Sequence, residues 1–333
     1  MAEQPTLAQV AAAAGVSPAT ASRVLTGSVR VSTSARRQVH EAMSRLGYVR
    51  RRAPRGASPR RGDRTVAAVV CDPIHRVFAE PFYARLLGAI DDVLGKHGIA
   101  TMVMSAAAPS VTTVAAPLVS GAVSGVLLVG ARSGHPLAVT LAASGVPVRC
   151  VGLPPDGVDL PYIDVDNADG ARQAAEHLLL QGRKHITMIG GPAALPAARQ
   201  RVDGFRARLN EAGYYDVPVA YGDFTHASGV HATRWLLQRM PNLDAIFAAS
   251  DTMAAAAIGV LRDAGRKVPD DVAVVGFDDA PIARHPRPPL TTVRQPIEEL
   301  AAVGTRLLLA GMTGTAPEQN PVLPAELVIR ESG

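Results

Sequence analysis

The side chains best suited to chemistry crowd into one short stretch near the start of the chain. Ser17, Thr20 and Ser22 offer hydroxyl donors, and Arg23 offers a guanidinium fork. Hydroxyls of this kind donate to phosphate oxygens, and an arginine can pair with guanine O6 and N7 at once. Pro18 and Ala19 lie among them and present only small apolar surfaces. Small, polar and forked groups together suit the outer face of a helix that enters a major groove. A second basic stretch follows. Residues 49–64, VRRRAPRGASPRRGDR, hold seven arginines, among them Arg50, Arg51, Arg52 and Arg55. With Pro, Gly and Ser and no large apolar residue beyond Val49, this reads as a basic linker able to follow phosphates. A solvated tether is the competing reading.

Three short helices must hold the first group. Leu7, Val10, Ala11 and Ala14 recur at helical spacing, with Thr6 as a cap and Gly15 as the break. Ser17-Pro18 is a hydroxyl cap followed by proline at the first helical position. The second helix then buries Ala21, Val24 and Leu25 and stops at Gly27. Ser32 caps a third, with Val39, Met43 and Leu46 inward and Gly47 as its stop. Helix, tight turn and second short helix are helix-turn-helix geometry. A small helical bundle with a solvated face would look similar, and charge favours the first reading. Residues 1–64 hold 12 arginines against 3 acids, whereas 65–333 hold 22 Lys+Arg against 26 acids. A polyanionic partner therefore concerns the first segment alone.

From Val66 onward short β-branched runs alternate with helical segments, βαβαβ twice over. This predicts two open, doubly wound parallel α/β sheets in a two-lobe body behind an all-α headpiece, with a ligand site at the strand ends between the lobes. A length of 333 residues and 47% hydrophobic content support large cores and exclude a disordered chain. Cys71 and Cys150 both end apolar runs and read as buried free thiols. There is no signal-peptide pattern and no apolar run of membrane-spanning length, so a cytoplasmic protein is expected. The nucleotide-binding glycine patterns, the nucleophile elbow and metal-ligand spacings are all missing from the sequence, so neither enzyme nor cofactor is expected. Gly190-Gly191 reads as a plain turn rather than a phosphate cradle.

Several motifs, in order, resemble the LacI/GalR family of transcriptional regulators over essentially the whole chain. They are TLAQVAAAAGVSPATASRVLTG, VSTSARRQVHEAMSRLGYV, IDVDNADGARQAAEHLLLQGRKHITMIGGP, RVDGFRARL, FAASDTMAAAAIGVL, GFDDAPIARHPRPPLTTVRQPIEELA and LVIRESG. The resemblance implies a DNA-binding headpiece (1–48), a hinge (49–64) and an effector domain resembling periplasmic sugar-binding proteins. Its N-terminal lobe is expected over 65–161 plus 292–321, and its C-terminal lobe over 162–291 plus 322–333. Three chain crossings should fall near residues 162, 290–292 and 321–322. A homodimer on palindromic double-stranded operator DNA is implied, with a dimer of dimers as a further form.

The same resemblance assigns site residues. Pro18 and Ala19 match operator-choosing positions, and Arg23 a base-reading one. Arg201 matches a position that holds effector oxygens, and Asp278 one that accepts bonds from sugar hydroxyls or an amine. Ser250-Asp251 stands where the family shows Asn-Asp, a departure that shortens one polar arm. Phe82 and Tyr83 match a wall of one lobe, and Phe224 a wall of the other. The implied function is a repressor whose operator affinity responds to a small, sugar-like molecule. For Arg201 and Asp278 the competing reading is an interlobe salt bridge; for the aromatics it is core packing. A solute-binding protein and a sugar-active enzyme are the alternatives at the level of the whole chain. In the hinge, Ala57 stands at the family's DNA-wedging leucine, and Pro54 and Gly56 oppose a helix there. Trp235 is placed on a helix surface rather than in the cleft.

Overall fold

The computed structural model describes residues 7–25, 32–46, 65–107, 110–315 and 320–333. The chain divides into two units, residues 1–58 and 59–333.

The first unit holds α1 (Leu7–Ala13), α2 (Pro18–Leu25) and α3 (Thr33–Leu46). Gly15 makes the turn between the first two at φ +65°, a conformation that costs glycine little. Ser17 caps α2 by accepting from the Thr20 amide at 3.1 Å, and Ser32 caps α3 through Ala35 at 3.3 Å. The core is Val10, Ala11, Ala14, Ala21, Val24, Val39 and Ala42. Leu46, expected inward, is instead exposed, and Ala42 takes the buried place. A core of so few small residues ends before the last turn of α3. Thr6, Gly27 and Gly47 lie outside the described residues, as does the hinge 49–64.

The second unit holds two six-stranded sheets. The first is built from β1 (Thr65–Val70), β2 (Ala100–Ser105), β3 (Gly125–Val129), β4 (Val148–Val151) and β5 (Tyr162–Val165). Between and around them lie α4 (Ile74–Ala79), α5 (Pro81–Lys96), α6 (Val111–Val119) and α7 (Pro136–Ala142). The second is built from β6 (Ile186–Gly190), β7 (Val219–Tyr221), β8 (Ala245–Ala248), β9 (Ala273–Asp278) and β10 (Thr291–Arg294). Its helices are α8 (Asn167–Leu180), α9 (Pro196–Glu211), α10 (His226–Arg239) and α11 (Asp251–Asp263). Then α12 (Ile297–Met312) returns to the first lobe, and β11 (Val322–Leu323) and β12 (Glu326–Val328) add an edge strand to each sheet.

The order β2-β1-β3-β4-β5 is repeated as β7-β6-β8-β9-β10, so the doubly wound expectation holds for both sheets. All pairings are parallel except that of β10 with β12. Central strands are buried on both faces, which is why VAAVV and AIFA carry no alternation.

The crossings come a few residues later than the motifs suggest. Tyr162–Val165 pairs with β4, Thr291–Arg294 with β9, and Val322–Leu323 with β5. The chain thus leaves each sheet only after the strand has completed its ladder, following Val165, Arg294 and Leu323. Helix α4 was not foreseen: six residues show too little period to be read.

Glycine sets one close approach between helices. A Cβ on Gly204 of α9 would lie 2.2 Å from the Ala168 carbonyl of α8. The two helices that carry Arg201 and Asn167 can meet only because that atom is missing. Among the described residues no helix is long and apolar enough to cross a membrane.

Candidate functional site

Strand ends of both sheets and the crossing segments surround one cavity of about 910 Å³, counted with its solvent-open mouth. Phe82, Tyr83, Arg201, Phe224, Ser250 and Asp278 all line it. Five segments distant in sequence thus converge on one space. Contacts between the lobes lie around it. Ser133 N–H donates to the Ala194 carbonyl at 2.8 Å, Arg199 forks onto Asp156 at 2.7 and 2.8 Å, and Arg76 donates to the Asp223 carbonyl.

Arg201 reaches in from α9 and is almost fully buried. Its Nε donates to Asn167 Oδ1 at 2.9 Å and its Nη1 to the Ala249 carbonyl at 2.6 Å. The guanidinium lies 3.7 Å from the centre of the Phe277 ring, a cation–π stack. Nη1 is also 3.5 Å from Asp278 Oδ1. Burial lowers the arginine's pKa and raises that of the aspartate, and their mutual attraction opposes both shifts. Gln295 donates to the same Asp278 oxygen at 2.5 Å. Both ion-pair members belong to the second-sheet lobe, since α9 and β9 lie there. The interlobe salt bridge considered from the sequence is therefore corrected to a pair within one lobe.

The walls follow from local backbone. Asp278 (φ 116°) and Phe224 (φ 73°) occupy left-handed conformations that L-residues rarely adopt. Gly191 makes room for Phe224, because a Cβ there would lie 2.4 Å from the ring. That is the physical reason for a glycine at position 191. Tyr83 is pinned by its hydroxyl bond to Asp72, which Arg132 also holds at 2.6 Å. Ser250 lines the cavity and also serves structure: its hydroxyl accepts from the Met253 amide and caps α11. Trp235 is half-exposed on α10, with Arg239 5.1 Å from its ring.

Sequence reading missed Asp164, Asn167, Gln295, Arg76 and Glu80, which also line the cavity. Asp164 carried a signal: an acid inside the buried strand pattern of YIDV. Burial pushes its pKa up to about 6, against opposing bonds from Val165, Leu153 and Asn167 and the charge of Arg201. Burial likewise raises Glu80.

In the first unit Ser17 and Pro18 are exposed at the start of α2, and Ser17 Oγ lies 2.9 Å from Thr20 Oγ1. Ala19, Ser22 and Arg23 are helical, and their side chains lie outside the described residues. So do Arg50, Arg51, Arg52 and Arg55. Ala21 and Val24 are buried, so the opposite face of α2 is the one turned outward.

Residues 6–51 match the model of bacterial regulatory proteins of the lacI family, and residues 175–333 match a periplasmic binding protein-like domain. The HTH-type transcriptional regulator CelR of Thermobifida fusca is 43% identical, over 99% of this chain and 98% of its own length. The chain belongs to the LacI family. The regulator is also 30% identical to the HTH-type transcriptional repressor CytR of Escherichia coli, over 98% and 96% of the two chains. Among solved structures, the complex of the transcriptional regulator CelR with cellobiose superposes with a TM-score of 0.78 at 41% identity, covering 99% of this chain and 100% of that one. The lac repressor dimer bound to operator and the anti-inducer ONPF gives a TM-score of 0.73 at 27% identity, with 99% of each chain covered. The family resemblance and the two-sheet architecture read from the sequence thus hold, and the regulator is a DNA-binding transcription factor.

Proposed function

We propose that the regulator is a repressor that binds a palindromic operator as a homodimer, and that a saccharide or related metabolite held between the lobes changes its operator affinity. The observation that carries this reading is the convergence of Phe82, Tyr83, Arg201, Phe224, Ser250 and Asp278 on one cavity at the strand ends. A relative of 41% identity, matched along its whole length, is known in complex with cellobiose, which makes cellobiose the first compound to try. In the headpiece, Pro18, Ala19 and Arg23 face bases, while Ser17, Thr20 and Ser22 face phosphates. Arg50, Arg51, Arg52 and Arg55 of the hinge add sequence-independent attraction. Effector binding biases the lobe arrangement, and the operator senses that bias through the hinges of the dimer. Binding without turnover is expected, so cellobiose should be recovered unchanged.

The test is fluorescence anisotropy on labelled upstream DNA from the host, with and without cellobiose. Specific binding that shifts at least fivefold on adding the sugar supports the reading. Specific binding that ignores every neutral saccharide overturns the sugar part, and absence of specific binding overturns the whole.

A further inference from the structure

The cavity carries more acids than bases. Its ionisable lining is Arg76, Glu80, Asp164, Arg201 and Asp278, three acids against two bases, with the Tyr83 phenol held by Asp72. Both bases are partly occupied by the protein. Arg76 is held by the Asp223 carbonyl and lies 3.8 Å from both Asp72 and Asp223, and two nitrogens of Arg201 are committed to the chain. The acids have oxygens to spare. Asp278 Oδ1 takes the Gln295 amide, which leaves Oδ2 open.

Asp164 is the sharpest case. It is 4% exposed. Its Oδ1 accepts from the Val165 amide at 2.8 Å and from Asn167 Nδ2 at 3.3 Å. The Leu153 backbone favours its charged form, yet buried Oδ2 receives no well-aligned bond from any described group. A carboxylate oxygen buried without a donor is costly, and native structures rarely keep one for nothing. Asp164 lines the cleft, so a ligand there could supply that donor. Its position adds a consequence. Asp164 lies on the last strand before the chain crosses between lobes, and its own amide bonds Pro321, just before another crossing.

We propose that Asp164 is a specificity-determining acceptor of the cleft, whose Oδ2 takes a hydroxyl hydrogen from a neutral, unphosphorylated saccharide. This rests on the reading of the cleft as a saccharide site and narrows it. An added phosphate would meet three carboxylates against two arginines, each of which already donates to the protein. Neutral donors are selected by leaving the wrong ligand's site groups unpaired.

The test is calorimetric titration of the full-length regulator with cellobiose, the set of monodeoxy cellobioses and a phosphorylated cellobiose. It compares wild type with Asp164→Ala and with the isosteric Asp164→Asn. Wild type should bind cellobiose, and phosphorylation should weaken binding at least tenfold. Asp164→Ala should also lose about tenfold. One deoxy position should cost wild type about tenfold and Asp164→Ala less than twofold, a coupling that a merely structural residue would not produce. Should Asp164→Ala fail to fold, Asp164→Asn carries the same deoxy comparison. Cellobiose binding that is equal in wild type and both variants, or deoxy penalties identical in all, overturns the role of Asp164 and leaves the saccharide reading standing. Wild type that prefers the phosphorylated sugar overturns the selectivity. Wild type that binds no saccharide at all brings down both readings together.

Discussion

On the proposed reading, Arg201 and Asp278 serve fold and ligand at once. The pair is buried, and removing one member strands the other without compensation, a change worth about 3–5 kcal/mol. Arg201→Ala should therefore lower the melting temperature of the effector domain. Below that temperature it should abolish the response to cellobiose while operator affinity without sugar stays within about twofold, because the headpiece is a separate unit. Anisotropy with and without sugar reads both numbers, and a variant that still responded would place the effector elsewhere. The cysteines make a contrasting case. Cys71 and Cys150 are buried, and their thiols are pushed up to about 12, by burial first and, for Cys71, by the neighbouring Asp72. Since the thiolate is the reacting form, native protein should resist iodoacetamide at pH 8 and take two labels once denatured. Labelling of the native chain within minutes would contradict that burial.

At the level of elements, the packing of α8 on α9 is the one with least tolerance. Gly204→Ala would drive a Cβ into the backbone oxygen of Ala168, and backbone yields less readily than a side chain. We expect a loss of about 1–3 kcal/mol, read as a drop in melting temperature. Effector affinity should fall as well, because Asn167 and Arg201 ride on the two helices and are bonded to each other. A melting temperature unchanged within a degree would show that the helices can slide apart freely. The recognition helix α2 yields a second prediction. Pro18 and Ala19 have no side-chain donor or acceptor, so polar base reading falls heavily on Arg23. Arg23→Ala should cost about 1–3 kcal/mol on operator DNA and little on random DNA. An equal loss on both would mean that Arg23 pairs with a phosphate instead.

For the whole molecule the question is how a headpiece with so basic a hinge grips DNA. No Leu, Ile, Met or Phe occurs in residues 49–64, and Ala57 is too small to fill an opened base step. Charge is what remains. Neutralising Arg50, Arg51 and Arg52 should weaken specific and non-specific binding alike. The log–log salt slope should fall by about 1 for each phosphate that is no longer neutralised by an arginine. Ala57→Leu should change little. A strong central kink in a circular-permutation assay, or a slope unmoved by the arginine changes, would restore an apolar wedge mechanism.

Much of this protein was legible in the order of its residues. Gly15, Ser17 and Pro18 announce the turn and the start of α2, because caps and left-handed turns are local and need no partner to be recognised. The alternation of apolar runs with helical periods announces both sheets, since parallel strands buried on two faces lose their polar positions. Family motifs brought Arg201, Asp278, Phe82 and Phe224 to notice. What they left undecided is non-local. Whether YIDV joins the first sheet or the second depends on a ladder with β4 and β11, which no window of sequence contains. That Arg201 and Asp278 share a lobe follows from the same topology. Ser250 reads as a cleft residue in sequence, and only the folded chain shows that its hydroxyl also caps α11. Asp164, an acid in a buried strand, is ambiguous in sequence. Only the folded chain shows it buried beside the cavity, with one oxygen bonded to Val165 and the other without a well-aligned donor among the described residues, because burial and hydrogen bonding are properties of neighbours brought together from far along the chain.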